Sequence, residues 1–154
     1  MSVIEKRLAE LGYELPPAPG PMANYVSAQR CGDVMYLSGS GPIIGSKFIM
    51  QGLVGREISL EQGYEAAKLG ALNLISVLKR ELGDLDRVEQ IVKLLGFVAS
   101  APDFYQQPAV INGASDVFVE VFGEKGKHAR SAVAAPVLPF NLPVEVEIVV
   151  KIRD

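Results

Sequence analysis

The chain has 154 residues, a length that fits one domain and lets about 70% of the unfolded surface be buried without staples. The net charge of −3 and pI of about 5.2 lack the basic field of a nucleic-acid binder. Apolar residues make up 49% and mean hydropathy is +0.23. No run nears the roughly eighteen apolar residues of a membrane span, so this surplus is expected to cover a subunit interface.

Ser2-Val3-Ile4-Glu5 has the form of a capping box, and Ile4, Leu8 and Leu11 share one helical face before Gly12. A short helix therefore opens the chain. Pro16, Pro17, Pro19 and Pro21 then predict an extended arm. Val26 to Ser38 reads as two strands around a Gly32-Asp33 turn, with Val34 to Leu37 as a short buried run. Ser38-Gly39-Ser40-Gly41-Pro42 ends it, and Phe48 to Val54 reads as a weaker strand.

Ser59 with Gln62 is a second capping box. Tyr64, Ala67, Ala71, Leu74, Leu78 and Leu82 follow at spacings of three and four, which predicts a helix over 60–82 stopped by Gly83. Val88 to Val98 reads as a strand. Pro108 is placed at the first turn of another long helix, with Val110, Ala114, Val117 and Val121 as its stripe and Gly123 as its end. Two strands finish the chain. The last alternates, with Val144, Val146, Ile148, Val150 and Ile152 on one face and Glu145, Glu147, Val149 and Lys151 on the other. Helix, three strands, helix, strand, helix and two strands describe an α+β fold, with helices on one face of a mixed sheet.

Arg130 stands in an apolar segment, between Ala129 and Ser131 and ahead of Ala132-Val133-Ala134-Ala135. Its planar fork of donors suits a small carboxylate. If the last two strands pair antiparallel about the Val137–Leu142 connection, Glu145 lies directly opposite. A structural ion pair and an anion clamp beside an acid/base both fit, and composition does not separate them. Gly39 and Gly41 let backbone approach a ligand or simply make a tight turn. Taken alone, Tyr25 and Asn112 read more readily as an amphipathic edge residue and a solvated polar residue than as site donors. His128 is the only histidine and Cys31 the only cysteine. That pair cannot assemble a zinc or iron site, so neither metal nor cofactor is expected. The lone cysteine excludes an internal disulfide. Met1-Ser2-Val3-Ile4-Glu5 lacks a secretion signal's basic start, so a cytoplasmic location is expected.

Taken together, these motifs resemble the RidA family, also called YjgF or L-PSP endoribonuclease-like. Ala129-Arg130-Ser131-Ala132-Val133 and Val144-Glu145-Val146-Glu147 are similar to its C-terminal signature. Asn24-Tyr25-Val26, Tyr36-Leu37-Ser38-Gly39, Glu65-Ala66-Ala67, Asn73-Leu74 and Leu82-Gly83 resemble further family segments, so the likeness covers residues 20–152. The opening helix and the Gly113–Gly126 region resemble a longer subgroup. Ala132 stands where many relatives carry cysteine, and Pro136-Val137-Leu138-Pro139-Phe140 is bulkier than the usual connection.

The resemblance implies a chorismate-mutase-like mixed sheet with two long helices on one face, assembled as a homotrimer with clefts between subunits. It implies a hydrolase of the 2-iminobutanoate/2-iminopropanoate deaminase kind, which turns reactive enamine/imine acids such as 2-aminoacrylate into 2-keto acids and ammonia. Arg130 then holds the substrate carboxylate and Glu145 activates water, while Tyr25, Ser38, Gly39 and Asn112 line the cleft. Two other readings stay open: a non-catalytic trimeric binder of small carboxylic metabolites, and an endoribonuclease. The acidic pI and the single histidine weigh against the second. Neither a nucleic-acid nor a membrane partner is expected.

Overall fold

Two serines start two helices by the same device. In the computed structural model, which describes all 154 residues, Ser2 Oγ accepts from the Glu5 amide while the Glu5 carboxylate accepts from the Ser2 amide. Ser59 and Gln62 repeat the exchange. Each exchange satisfies two amide donors that a helix start leaves without partners. Helix α1 spans Val3–Glu10 and α2 spans Leu60–Leu82, with Gly83 at φ 76 just beyond it. Helix α3 is Gln107–Phe122, with Pro108 in its first turn and Gly123 at its end.

Seven strands complete the fold: β1 Ala28–Cys31, β2 Val34–Leu37, β3 Ile43–Ile44, β4 Lys47–Phe48, β5 Val88–Ala99, β6 Ala129–Ala135 and β7 Val144–Ile152. Five form one sheet in the order β1-β2-β7-β5-β6, and β3 with β4 makes a separate small hairpin. β5 runs antiparallel to β7 and parallel to β6, so the sheet is mixed.

Two expectations are corrected. The strand expected over 48–54 contracts to Lys47–Phe48, and the following stretch is a loop. Gly52 at φ 131 and Gly55 at φ 89 break the extended path there, and the Val54 amide instead donates to the Ala99 carbonyl at 2.9 Å. The last two strands do not pair with each other. β5 lies between them, and residues 136–143 step across its end. Alternation identifies a strand but not its neighbour, because pairing is a non-local choice.

Helices α2 and α3 cover one face. Ala67, Leu74, Leu78, Ile111 and Phe118 meet Leu94, Val98, Val146, Ile148 and Val150 in the core. The two helices touch backbone to backbone at Gly113, where a Cβ would lie 2.0 Å from the Tyr64 carbonyl oxygen. The proline arm is strapped to α2: Ser76 Oγ donates to the Pro16 carbonyl at 2.7 Å, and Arg80 Nη1 to that of Pro19 at 3.3 Å. No layer of this chain covers the other sheet face. There Tyr36 is 53% and Val133 43% exposed, beside half-buried Leu95, Phe97 and Val149. No helix is long and apolar enough to cross a membrane.

Candidate active site

The register of β5 decides where the two expected charges go. Arg130 pairs with Leu94, which is fully buried beneath the helices, whereas Glu145 pairs with Phe97 on the bare face. Residues paired straight across share a face. Arg130 therefore points to the α3 side and Glu145 to the uncovered side, two strand spacings, or about 10 Å, apart laterally. The expected cross-strand partnership of Arg130 and Glu145 does not exist within one chain, because β5 separates the two strands.

Arg130 is half-buried and braced by α3. Its Nη1 donates to Asn112 Oδ1 at 2.7 Å and to Ser115 Oγ at 3.1 Å. Asn112 and Ser115 are three residues apart, so they share a helical face. Behind Ser115 lies His128, with Nε2 at 2.9 Å from Ser115 Oγ and Nδ1 at 2.7 Å from the Gly126 carbonyl. A carbonyl only accepts, so Nδ1 carries the proton. Nε2 then accepts from the Ser115 hydroxyl, whose oxygen is free to accept from Arg130. Burial lowers the His128 pKa and the nearby Arg130 charge adds to this, against the bond to Gly126. The imidazole is thus held neutral. The Nε and Nη2 edge of Arg130 makes no bond in its own chain.

Glu145 is half-buried on the other face, and its carboxylate makes neither a hydrogen bond nor an ion pair within the chain. A Cβ at Gly39 would lie 2.9 Å from both Glu145 Cγ and Cδ, so any side chain there would push the carboxylate from its place. Burial, and secondarily the charge of Glu147, raises the Glu145 pKa, and no cation counters them. A carboxyl shifted this way is poised to exchange protons nearer neutrality. Beside it opens a cleft of about 310 Å³ lined by Tyr25, Gly39, Phe48, Phe140, Leu142 and Glu145 among others. A roomier groove between α1 and α3, about 470 Å³, is lined by neither charge.

The sequence candidates thus divide. Glu145, Gly39 and Tyr25 come together; Arg130 and Asn112 come together elsewhere. The Tyr25 hydroxyl accepts from the Met22 amide at 3.1 Å and keeps its own proton to offer. Ser38 does not line the cleft, and its hydroxyl donates to the Val26 carbonyl at 2.6 Å. Sequence reasoning missed Ser115, which shares Asn112's face, and it missed the aromatic pair Phe48 and Phe140. His128 braces Ser115.

A mixed α+β sheet with one bare face, an unpaired guanidinium at one edge and a half-buried acid on the bare face defines a class, and the comparisons agree on which. The family model described as "YjgF/chorismate mutase-like, putative endoribonuclease" matches residues 5–151. The chain belongs to that family. It is 41% identical over 152 residues to Protein TCP17 of Trypanosoma cruzi, covering 98% of this chain and 95% of that one. Among solved structures, Atu1372 of Agrobacterium tumefaciens, a protein of unknown function, superposes with a TM-score of 0.91 at 45% identity, over 98% of this chain and 93% of that one. A protein of Shewanella oneidensis superposes with a TM-score of 0.93 at 34% identity, over 97% and 99%.

Proposed function

We propose that the protein hydrolyses reactive enamine/imine acids to 2-keto acids and ammonia, in clefts between the subunits of a homotrimer. One observation carries this reading. Arg130 and Glu145 lie on opposite faces of one sheet, each lacking the partner that the other would supply. A second copy docked on the bare face would bring its Arg130 edge toward Glu145. The apolar residues of that face suit such burial.

In the assembled cleft the free Nε and Nη2 edge of Arg130 meets the substrate carboxylate, while Asn112 and Ser115 fix the guanidinium plane. Glu145 takes a proton from water as its oxygen attacks the imine carbon. It returns that proton to nitrogen, and the carbinolamine collapses to the keto acid and ammonia. One water is consumed and no redox change occurs. A positioned acid/base of this kind contributes roughly 10²–10⁴-fold.

The test is complementation. Arg130→Ala and Glu145→Gln should each lose ammonia release from amino-acid-derived imines. Unfolded together and reassembled in equal amounts, they should recover about a quarter of wild-type activity, because a head-to-tail ring then contains intact interfaces. Activity in either variant alone, or none in the mixture, defeats the proposal. The family description also names an endoribonuclease. On that reading RNA cleavage would depend on Arg130 and Glu145, and the two variants decide it.

A further inference from the structure

The loop closing the Glu145 cleft holds a conformation that its residues do not favour. Phe140 sits at φ 60, ψ 20 and Asn141 at φ 58, two consecutive non-glycine residues in the left-handed region. Asparagine tolerates that region, phenylalanine adopts it at a cost, and glycine would remove the cost. Bonds from outside the loop hold it there. Gln51 Nε2 donates to the Phe140 carbonyl at 2.7 Å, and the Gly52 amide to the Asn141 carbonyl at 2.8 Å.

As a result the Phe140 ring stands over the cleft, stacked on Phe48 with centroids 4.9 Å apart and planes 20° from parallel. Phe48 ends the β3–β4 hairpin, which buried Asn73 ties down through the Ile43 carbonyl at 2.8 Å. Phe140 is nonetheless 51% exposed. A large ring kept strained and half-wet adds little to the core, and backbone strain of this kind collects at ligand clamps. The cleft of about 310 Å³ falls within the roughly 300–1,000 Å³ of sites that hold drug-sized ligands. A three-carbon imino acid would leave much of it unfilled, whereas a leucine- or phenylalanine-derived acid would reach the rings.

We infer that this site takes 2-imino and 2-keto acids with a large apolar side chain, and that Phe140 and Phe48 form the wall that selects them. The inference rests on the reading of the site proposed above. Its test uses the assembled full chain and two readouts. Calorimetry compares pyruvate, 4-methyl-2-oxopentanoate and phenylpyruvate. Keto-acid release compares imines made from alanine, leucine and phenylalanine.

The larger compounds should be favoured by at least about tenfold in both readouts. Phe140→Gly should relax the loop, keep or raise the thermal midpoint, and shrink the preference below about threefold. Phe140→Leu should keep part of the aliphatic preference and lose the aromatic one. Equal or better handling of the three-carbon compounds by the wild type overturns the inference. So does an undiminished preference in Phe140→Gly. Preferential binding without turnover of any imine supports this wall and refutes hydrolysis instead. Turnover without preference refutes the wall and spares hydrolysis.

Discussion

Replacing Gly39 with alanine puts one carbon into the space of one carboxylate. The new Cβ would stand 2.9 Å from Glu145 Cγ and Cδ and 3.1 Å from Oε1. Carbon atoms rest at about 3.5–4.0 Å, so the carboxyl must retreat by roughly 0.6–1 Å. It can do so, because it ends a side chain rather than a backbone. Gly39 is outside the left-handed region, so alanine adds no backbone strain there. A stiffer unfolded chain favours alanine by about 0.4–1 kcal/mol. Stability should therefore change little, with a thermal midpoint within about 2–4 °C of wild type. A misplacement of about 1 Å can nevertheless cost about 100-fold in rate. We expect kcat/KM for imine hydrolysis to fall by about 10–100-fold.

Gly41→Ala is the contrast. Its Cβ would meet the Val144 carbonyl oxygen at 2.6 Å, and backbone cannot step aside, so that variant should melt well below wild type. The measurements are a melting curve and a progress curve on each purified variant. Full turnover by Gly39→Ala would mean that the position of Glu145 does not matter to the reaction. A melting point as low as that of Gly41→Ala would mean that Gly39 is a packing residue and nothing more.

Arg130→Lys should lose nearly as much activity as Arg130→Ala, since an ammonium cannot reproduce a planar fork held by Asn112 and Ser115; full activity in the lysine variant removes the clamp. Ser115→Ala should weaken keto-acid binding by about tenfold, roughly 1.4 kcal/mol, with rescue by Ser115→Thr; unaltered affinity in calorimetry separates Ser115 from the guanidinium. Glu145→Gln should lower single-turnover rate more than keto-acid affinity while Glu147→Gln stays close to wild type; the reverse ranking would name Glu147 as the acid/base. Glu145 must be ionised to take a proton, so the rate should be present above its folded pKa and fall as pH drops through it. Burial and Glu147 raise that pKa from 4.5 in the single chain and a second copy's Arg130 would oppose the shift, so the test is that the acid limb disappears in Glu145→Gln; a limb that persists there belongs to another group.

Local features were legible in the sequence and neighbour relations were not. Both capping boxes, both glycine stops and the strict alternation of β7 follow from residues a few positions apart, and all are present. The order of strands is set by which long strands pair. β7 takes the centre and β5 is inserted between β7 and β6, with Leu94 and Val98 anchoring it beneath the helices. Nothing in the spacing of Arg130 and Glu145 carries that information. Ser115 was within reach, since any residue three positions from Asn112 on α3 shares its face. Phe140 was not, because only its Asn141 neighbour hints at a left-handed turn. The Ser38 hydroxyl is taken by a carbonyl twelve residues earlier in the chain, which no motif records.

The division of the site has a physical logic. A guanidinium and a carboxylate close together in one chain would satisfy each other and offer a ligand little. Here β5 lies between them. Arg130 keeps its Nε and Nη2 edge unused at an edge strand, and burial, with the charge of Glu147 beside it, keeps the Glu145 pKa raised with no cation of its own chain to oppose it. Neither group is neutralised by an ion pair within its own chain. If the two meet only across a subunit interface, with substrate carboxylate on the arginine and water on the acid, the ligand mediates between charges that would otherwise neutralise each other. The bare apolar sheet face and the divided chemistry then have one explanation. On the proposed assembly, burial of that face would bring the second copy, and the second copy would supply the missing half of each cleft.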